Sequence, residues 1–91
     1  MTYARKRLYD DGAIAEMKLW LVPRSLPGSR HTFKYRLYYG HHGKRPIGYD
    51  NDTGKGEHRH YGDREEIYRF TTPDQLMADF LADVHALRGD E

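Results

Sequence analysis

Residues 50–61, DNDTGKGEHRHY, place two Asp, one Glu, a Lys between two glycines and an Arg between two histidines in twelve positions, with almost nothing apolar. A stretch that only joins strands needs Gly and Asn, not His-Arg-His. Splitting RNA at its own 2′-hydroxyl requires a base for that hydroxyl and an acid for the leaving 5′-oxygen. It also requires cations against the charge that builds on the phosphorus oxygens. His58 and His60 could share the acid and base roles, because imidazole titrates near neutrality. Lys55 and Arg59 could hold the phosphate, although Arg59 would alternate away from the histidines in a regular strand. Tyr49 and Tyr61 supply further phenols, as acids or as stacking surfaces.

Other chemistries compete for the same residues. An extended chain points His58 and His60 the same way, and Glu57, Asp63 or His31 could complete a metal site for a metal-dependent nuclease. The Gly-Lys-Gly segment lacks the spacing and the terminal Ser or Thr of a nucleotide P-loop. The polar residues could also simply bond one another and fix a long connection. On the residues alone these readings stay open, and the metal-independent one expects no cofactor.

The elements around the stretch are mostly strands. ARKRLY and AIAEMKLWLV flank Asp10-Asp11-Gly12, a strong hairpin signal. Ala13, Ala15, Met17, Leu19 and Leu21 alternate onto one face, which predicts that they line the core. PRSLPGSR over 23–30 reads as a loop. In HTFKYRLYYG, Phe33, Tyr35, Leu37 and Tyr39 point inward and Lys34, Arg36 and Tyr38 outward. Gly40-His41-His42-Gly43 reads as a second hairpin tip with solvated histidines, and Pro46 in the following KRPIGYD predicts an edge or a bulge. EIYRF at 66–70 reads as the last strand. Thr72-Pro73-Asp74-Gln75 is a capping box. Leu76, Met77, Phe80, Leu81, Val84 and Leu87 then recur at helical spacing, up to a stop at Gly89. This predicts an α+β domain over 1–91: a mostly antiparallel sheet of four to five strands, one C-terminal helix on one face, and a functional loop at 50–61.

One helix covers only one face of such a sheet. The other would carry Lys18, Trp20, Lys34, Arg36 and Tyr38, and cations interleaved with aromatics suit single-stranded nucleic acid. An ordinary solvated face is the plainer reading. Composition points the same way. Through residue 64 there are 13 Lys and Arg against 7 Asp and Glu; from 65 onward there are 2 against 7, for a net +1 overall. A basic body suggests an anionic partner, although an acidic helix that complements a basic sheet would look the same. Apolar residues are 37% of the chain, and eight tyrosines suit a half-exposed sheet. With no cysteine, disulfides, thiolate zinc sites and cysteine nucleophiles are excluded. No apolar run is long enough to span a membrane, and the opening MTYARKRLY lacks a signal-peptide core, which predicts a cytoplasmic protein.

IGYDNDTGKGEHRHYGDREEIYRF resembles the signature of the TumE-type toxins of bacterial and archaeal toxin–antitoxin systems, with its YDN, GKG, HRH and YRF segments. DGAIAEMKLWLVPRSLPGSRHTFKYRLYY resembles that family's N-terminal half, so the likeness spans nearly the whole chain. Two departures are Glu57, where Asp is expected, and Tyr61, where a small or aliphatic residue is common. The resemblance implies a toxin partnered by an antitoxin, often a helix-turn-helix DNA-binding protein. By analogy with other small toxins it implies RNA cleavage or another block to translation, with RNA as substrate. A non-catalytic module that binds nucleic acid or protein through the same loop and face is the rival expectation.

Overall fold

A computed structural model of the chain describes residues 2–41, 43–51 and 56–89. Six strands follow one another as β1 (Thr2–Leu8), β2 (Ile14–Leu21), β3 (Phe33–His41), β4 (Lys44–Asp50), β5 (His58–Tyr61) and β6 (Arg64–Ile67), and α1 (Pro73–Arg88) closes the chain. Every neighbouring pair is antiparallel and the spatial order equals the chain order, so the sheet is a plain meander. Among the described residues no helix is long and apolar enough to cross a membrane.

Local chemistry accounts for the joints. At the first hairpin Gly12 takes φ +89°, a conformation glycine adopts without strain. The Tyr9 amide donates to the Ala13 carbonyl at 2.9 Å, and the Asp11 carboxylate accepts from the Ala13 amide at 3.1 Å. Pro46 sits in an interior strand, and the β3–β4 register shifts between Tyr39 and His41, giving the expected bulge rather than an edge. Of that hairpin tip, His42 lies outside the described residues. At α1 the Gln75 amide donates to Thr72 Oγ1 at 3.1 Å, Pro73 opens the helix, and Gly89 closes it at φ +74°.

The core forms between α1 and one face of the sheet. Leu76, Phe80 and Val84 are fully buried, together with Ala13, Ala15, Tyr35 and Tyr49. Phe80 meets the Tyr49 ring edge to face at 5.7 Å. Leu21 and Leu87, expected inside, are 53% and 54% exposed. Leu21 ends β2 opposite Phe33, and Leu87 falls in the last turn of α1, so each lies past the end of the covered surface.

The expectation of four to five strands is corrected to six, because His58–Tyr61 is a strand rather than part of a loop. It pairs with β4 from Asp50↔His58 to Ile47↔Tyr61, and with β6 from His58↔Ile67 to Tyr61↔Arg64. The last strand is Arg64–Ile67, not 66–70; Tyr68 turns into the core, its amide donating to the Glu57 carbonyl at 3.2 Å. The tyrosines are more deeply placed than a half-exposed sheet implies. Tyr35, Tyr49, Tyr61 and Tyr68 donate their hydroxyls to Glu57, Asp83, Asp83 and Asp79.

Candidate functional site on the open sheet face

The pleat sends alternate side chains to opposite faces, and the register decides which predicted residues meet. Lys18, Arg36, Asp50 and His58 form one rung across β2 to β5; Glu16, Tyr38, Gly48 and His60 form the next. Trp20 pairs with Lys34 one rung further out, with the Lys34 ammonium 5.2 Å from the indole centroid. His58, His60, Lys18, Trp20, Lys34, Arg36 and Tyr38 therefore share the face that α1 leaves uncovered.

The two imidazoles are held differently. His60 is the more open, its side chain 37% exposed, and its Nε2 lies 3.5 Å from Asp50 Oδ2. His58 is only 7% exposed. Its Nδ1 lies 2.8 Å from the Gly56 carbonyl and its Nε2 lies 3.3 Å from Glu65 Oε2. The rings stack at 22° with centroids 6.4 Å apart. Asp50 Oδ1 is buried and has no hydrogen-bond partner among the described residues. Gly48 puts no side chain between Tyr38 and His60, which leaves a notch over β4.

Other candidate residues stand elsewhere. Arg59, Tyr49 and Tyr61 are on the α1 side of the sheet, away from the histidines. Arg59 Nε donates to Glu66 at 3.0 Å, and Tyr49 and Tyr61 both donate to Asp83, the latter at 2.7 Å. Burial opposes the Arg59 charge, but its bonds to Tyr49 and Glu66 outweigh that and hold the guanidinium above its ordinary value. Burial, and then the Asp83 carboxylate, push both phenols up, so they stay protonated at neutral pH. Lys55 lies outside the described residues.

Glu57 and His31 bond each other rather than flank the histidine pair. His31 Nδ1 accepts from the Phe33 amide at 3.1 Å, which leaves Nε2 as the donor to Glu57 at 3.0 Å. Ser29 and Tyr35 also donate to Glu57, at 2.6 and 2.9 Å, while the buried Asn51 donates to Ser29 and to the Phe33 carbonyl. This clamp ties the 23–32 loop to the start of β5 and so fixes where His58 begins. Among the described residues no group of three or more His, Asp or Glu is placed to hold a metal ion.

Sequence reasoning overlooked Asp50, Gly48 and Glu65. The overlooked signal was Gly62-Asp63, a two-residue hairpin turn between HRHY and REEI. With β5 read as a strand, Asp50, Gly48, His58 and His60 fall on one face by pairing alone.

A six-stranded antiparallel meander backed by one acidic helix, with two stacked imidazoles on its open side, defines a small two-layer α+β protein. The chain belongs to the TumE toxin family, whose model, described as Toxin TumE, matches residues 2–88. It is thus a toxin of the toxin–antitoxin kind, and an antitoxin partner is implied. Comparison with curated proteins and with solved structures finds no match.

Proposed function

We propose that this toxin is a metal-independent ribonuclease that blocks translation in the cytoplasm by cleaving single-stranded RNA on the open face of its sheet. One observation carries the reading: His58 and His60 share rungs with Arg36, Lys18 and Tyr38. The Asp50 carboxylate 3.5 Å away favours the His60 tautomer with its proton on Nε2, leaving Nδ1 to take the proton of the RNA 2′-hydroxyl. The 2′-oxygen then attacks phosphorus and the bond to the 5′-oxygen breaks. His58 protonates that leaving oxygen once substrate displaces Glu65 from Nε2. Arg36 and Lys18 meet the charge on the phosphoryl oxygens, the role sequence reasoning gave to Arg59 and Lys55. Trp20 and Tyr38 supply stacking surfaces for the flanking bases.

The burial of His58, with both nitrogens engaged, favours a second reading in which the pair is structural and the face only binds RNA. Purified His60→Ala protein tests the two. Loss of a general base should lower RNA cleavage about 100- to 10,000-fold while leaving binding within a few-fold. Arg59→Ala, on the other face, should leave cleavage of folded protein nearly intact. A His60→Ala protein that cleaves at the normal rate would reject the ribonuclease roles.

A further inference from the structure

The helix leaves part of its own face of the sheet uncovered. Six strands at about 4.8 Å spacing are roughly 24 Å wide, whereas a helix with its side chains is about 10–12 Å across. α1 packs over β4. Toward β5 and β6 the Arg59–Glu66 pair and Tyr61 on Asp83 fill part of the space, and a hollow of about 430 Å³ without a lining cation remains beside Asp83 and Leu87. Toward β1 and β2 the space is not filled. A groove of about 490 Å³ runs there between α1 and the edge strand, with Met17 and Leu19 at its floor, Met77 and Leu81 along α1, and Arg5 and Arg7 along β1.

An apolar floor and an apolar helix wall, with cations along the opposite edge, describe the complement of an amphipathic segment. Among the described residues neither Arg5 nor Arg7 has a carboxylate partner; the Arg7 guanidinium lies only over the Tyr9 ring, at 4.7 Å. Asp74, at the start of α1, also borders the groove and would repel an acidic segment at that end, so carboxylates belong along the β1 side. Met17 and Leu19 are buried beneath the groove, and Met77 and Leu81 are half-buried; a nucleic acid would leave those two uncovered, whereas a helix beside α1 would cover them and complete the layer.

We propose that the antitoxin docks in this groove through an amphipathic helix, with its apolar stripe on Met77 and Leu81 above the buried Met17 and Leu19, and its carboxylates on Arg5 and Arg7. The proposal rests on the family's antitoxin partner and on the groove, not on the roles given to His58 and His60. Because the groove and the histidines lie on opposite faces of the sheet, neutralisation and toxicity are separable by substitution.

The toxin carrying Arg5→Glu and Arg7→Glu, expressed with and without its cognate antitoxin, tests this. Both positions are exposed, so the fold and the growth arrest should survive. Affinity for purified antitoxin should fall about 100-fold or more, since two attractive contacts become repulsive, and the antitoxin should no longer restore growth. Hydroxyl-radical footprinting of the wild-type complex gives a second reading that needs no variant: Met77 and Leu81 should be protected. Antitoxin affinity unchanged within about twofold would overturn the proposal, as would loss of growth arrest in a folded variant. Footprint protection confined to the Trp20, Arg36, Tyr38 and His60 face would also overturn it.

Discussion

At the scale of single residues, the site depends on what is missing as much as on what is present. A Cβ at Gly48 would lie 3.8 Å from the Leu37 carbonyl oxygen and 3.9 Å from His60 Cδ2, both ordinary contacts. Gly48→Ala should therefore fold with stability changed by less than about 1 kcal/mol. Its methyl would stand in the notch between Tyr38 and His60, against the imidazole proposed as base, and cleavage should fall at least about tenfold. A thermal melt beside an RNA cleavage assay checks both halves; full activity would remove the notch from the site. That Lys18, Lys34 and Arg36 share one face with His58 and His60 was partly legible, because strand alternation sets the three cations on the side opposite the apolar residues. Asp50 was not, because its value lies in a cross-strand neighbour ten residues away in sequence, which only the register brings alongside His60.

At the scale of elements, legibility followed apolar periodicity. β2, β3 and α1 each carry one apolar face and could be read from the chain, down to the Thr72 cap. β5 could not, because both its faces are polar: His58 and His60 outward, Arg59 on Glu66 and Tyr61 on Asp83 on the other side. Polar side chains satisfied by other polar side chains leave no alternation to detect. The packing of α1 on the sheet is checked by Phe80→Ala. Phe80 is fully buried against Tyr49, so the truncation should cost about 3–5 kcal/mol in a denaturant titration. An unchanged midpoint would contradict the description of the core.

At the scale of the whole molecule, the charge asymmetry has a structural counterpart. The carboxylates of the acidic helix meet tyrosine hydroxyls, with Tyr49 and Tyr61 on Asp83 and Tyr68 on Asp79. Burial and these carboxylates raise the phenols above their ordinary 10.0 in the folded chain. A raised pKa means that the unfolded chain loses its phenolic protons first. This stabilisation is thus fully present below about pH 10 and declines above it, by up to about 1.4 kcal/mol per pH unit for each fully buried tyrosine. Equilibrium unfolding should show that alkaline decline, and Tyr49→Phe should make it shallower. The acidic helix thus works inside the fold, and the cations of the open face stand on the opposite side of the sheet, where the proposed RNA substrate would bind. The claim that the 2′-hydroxyl of RNA is the nucleophile on that face is tested most directly by the ends of the product. Purified toxin in the presence of a chelator should leave 2′,3′-cyclic phosphate at the cut, and should fail on an oligonucleotide carrying a single 2′-deoxy residue there. A 5′-hydroxyl should appear on the downstream fragment. Cleavage that leaves a 5′-phosphate, or that continues at the 2′-deoxy position, would contradict the account.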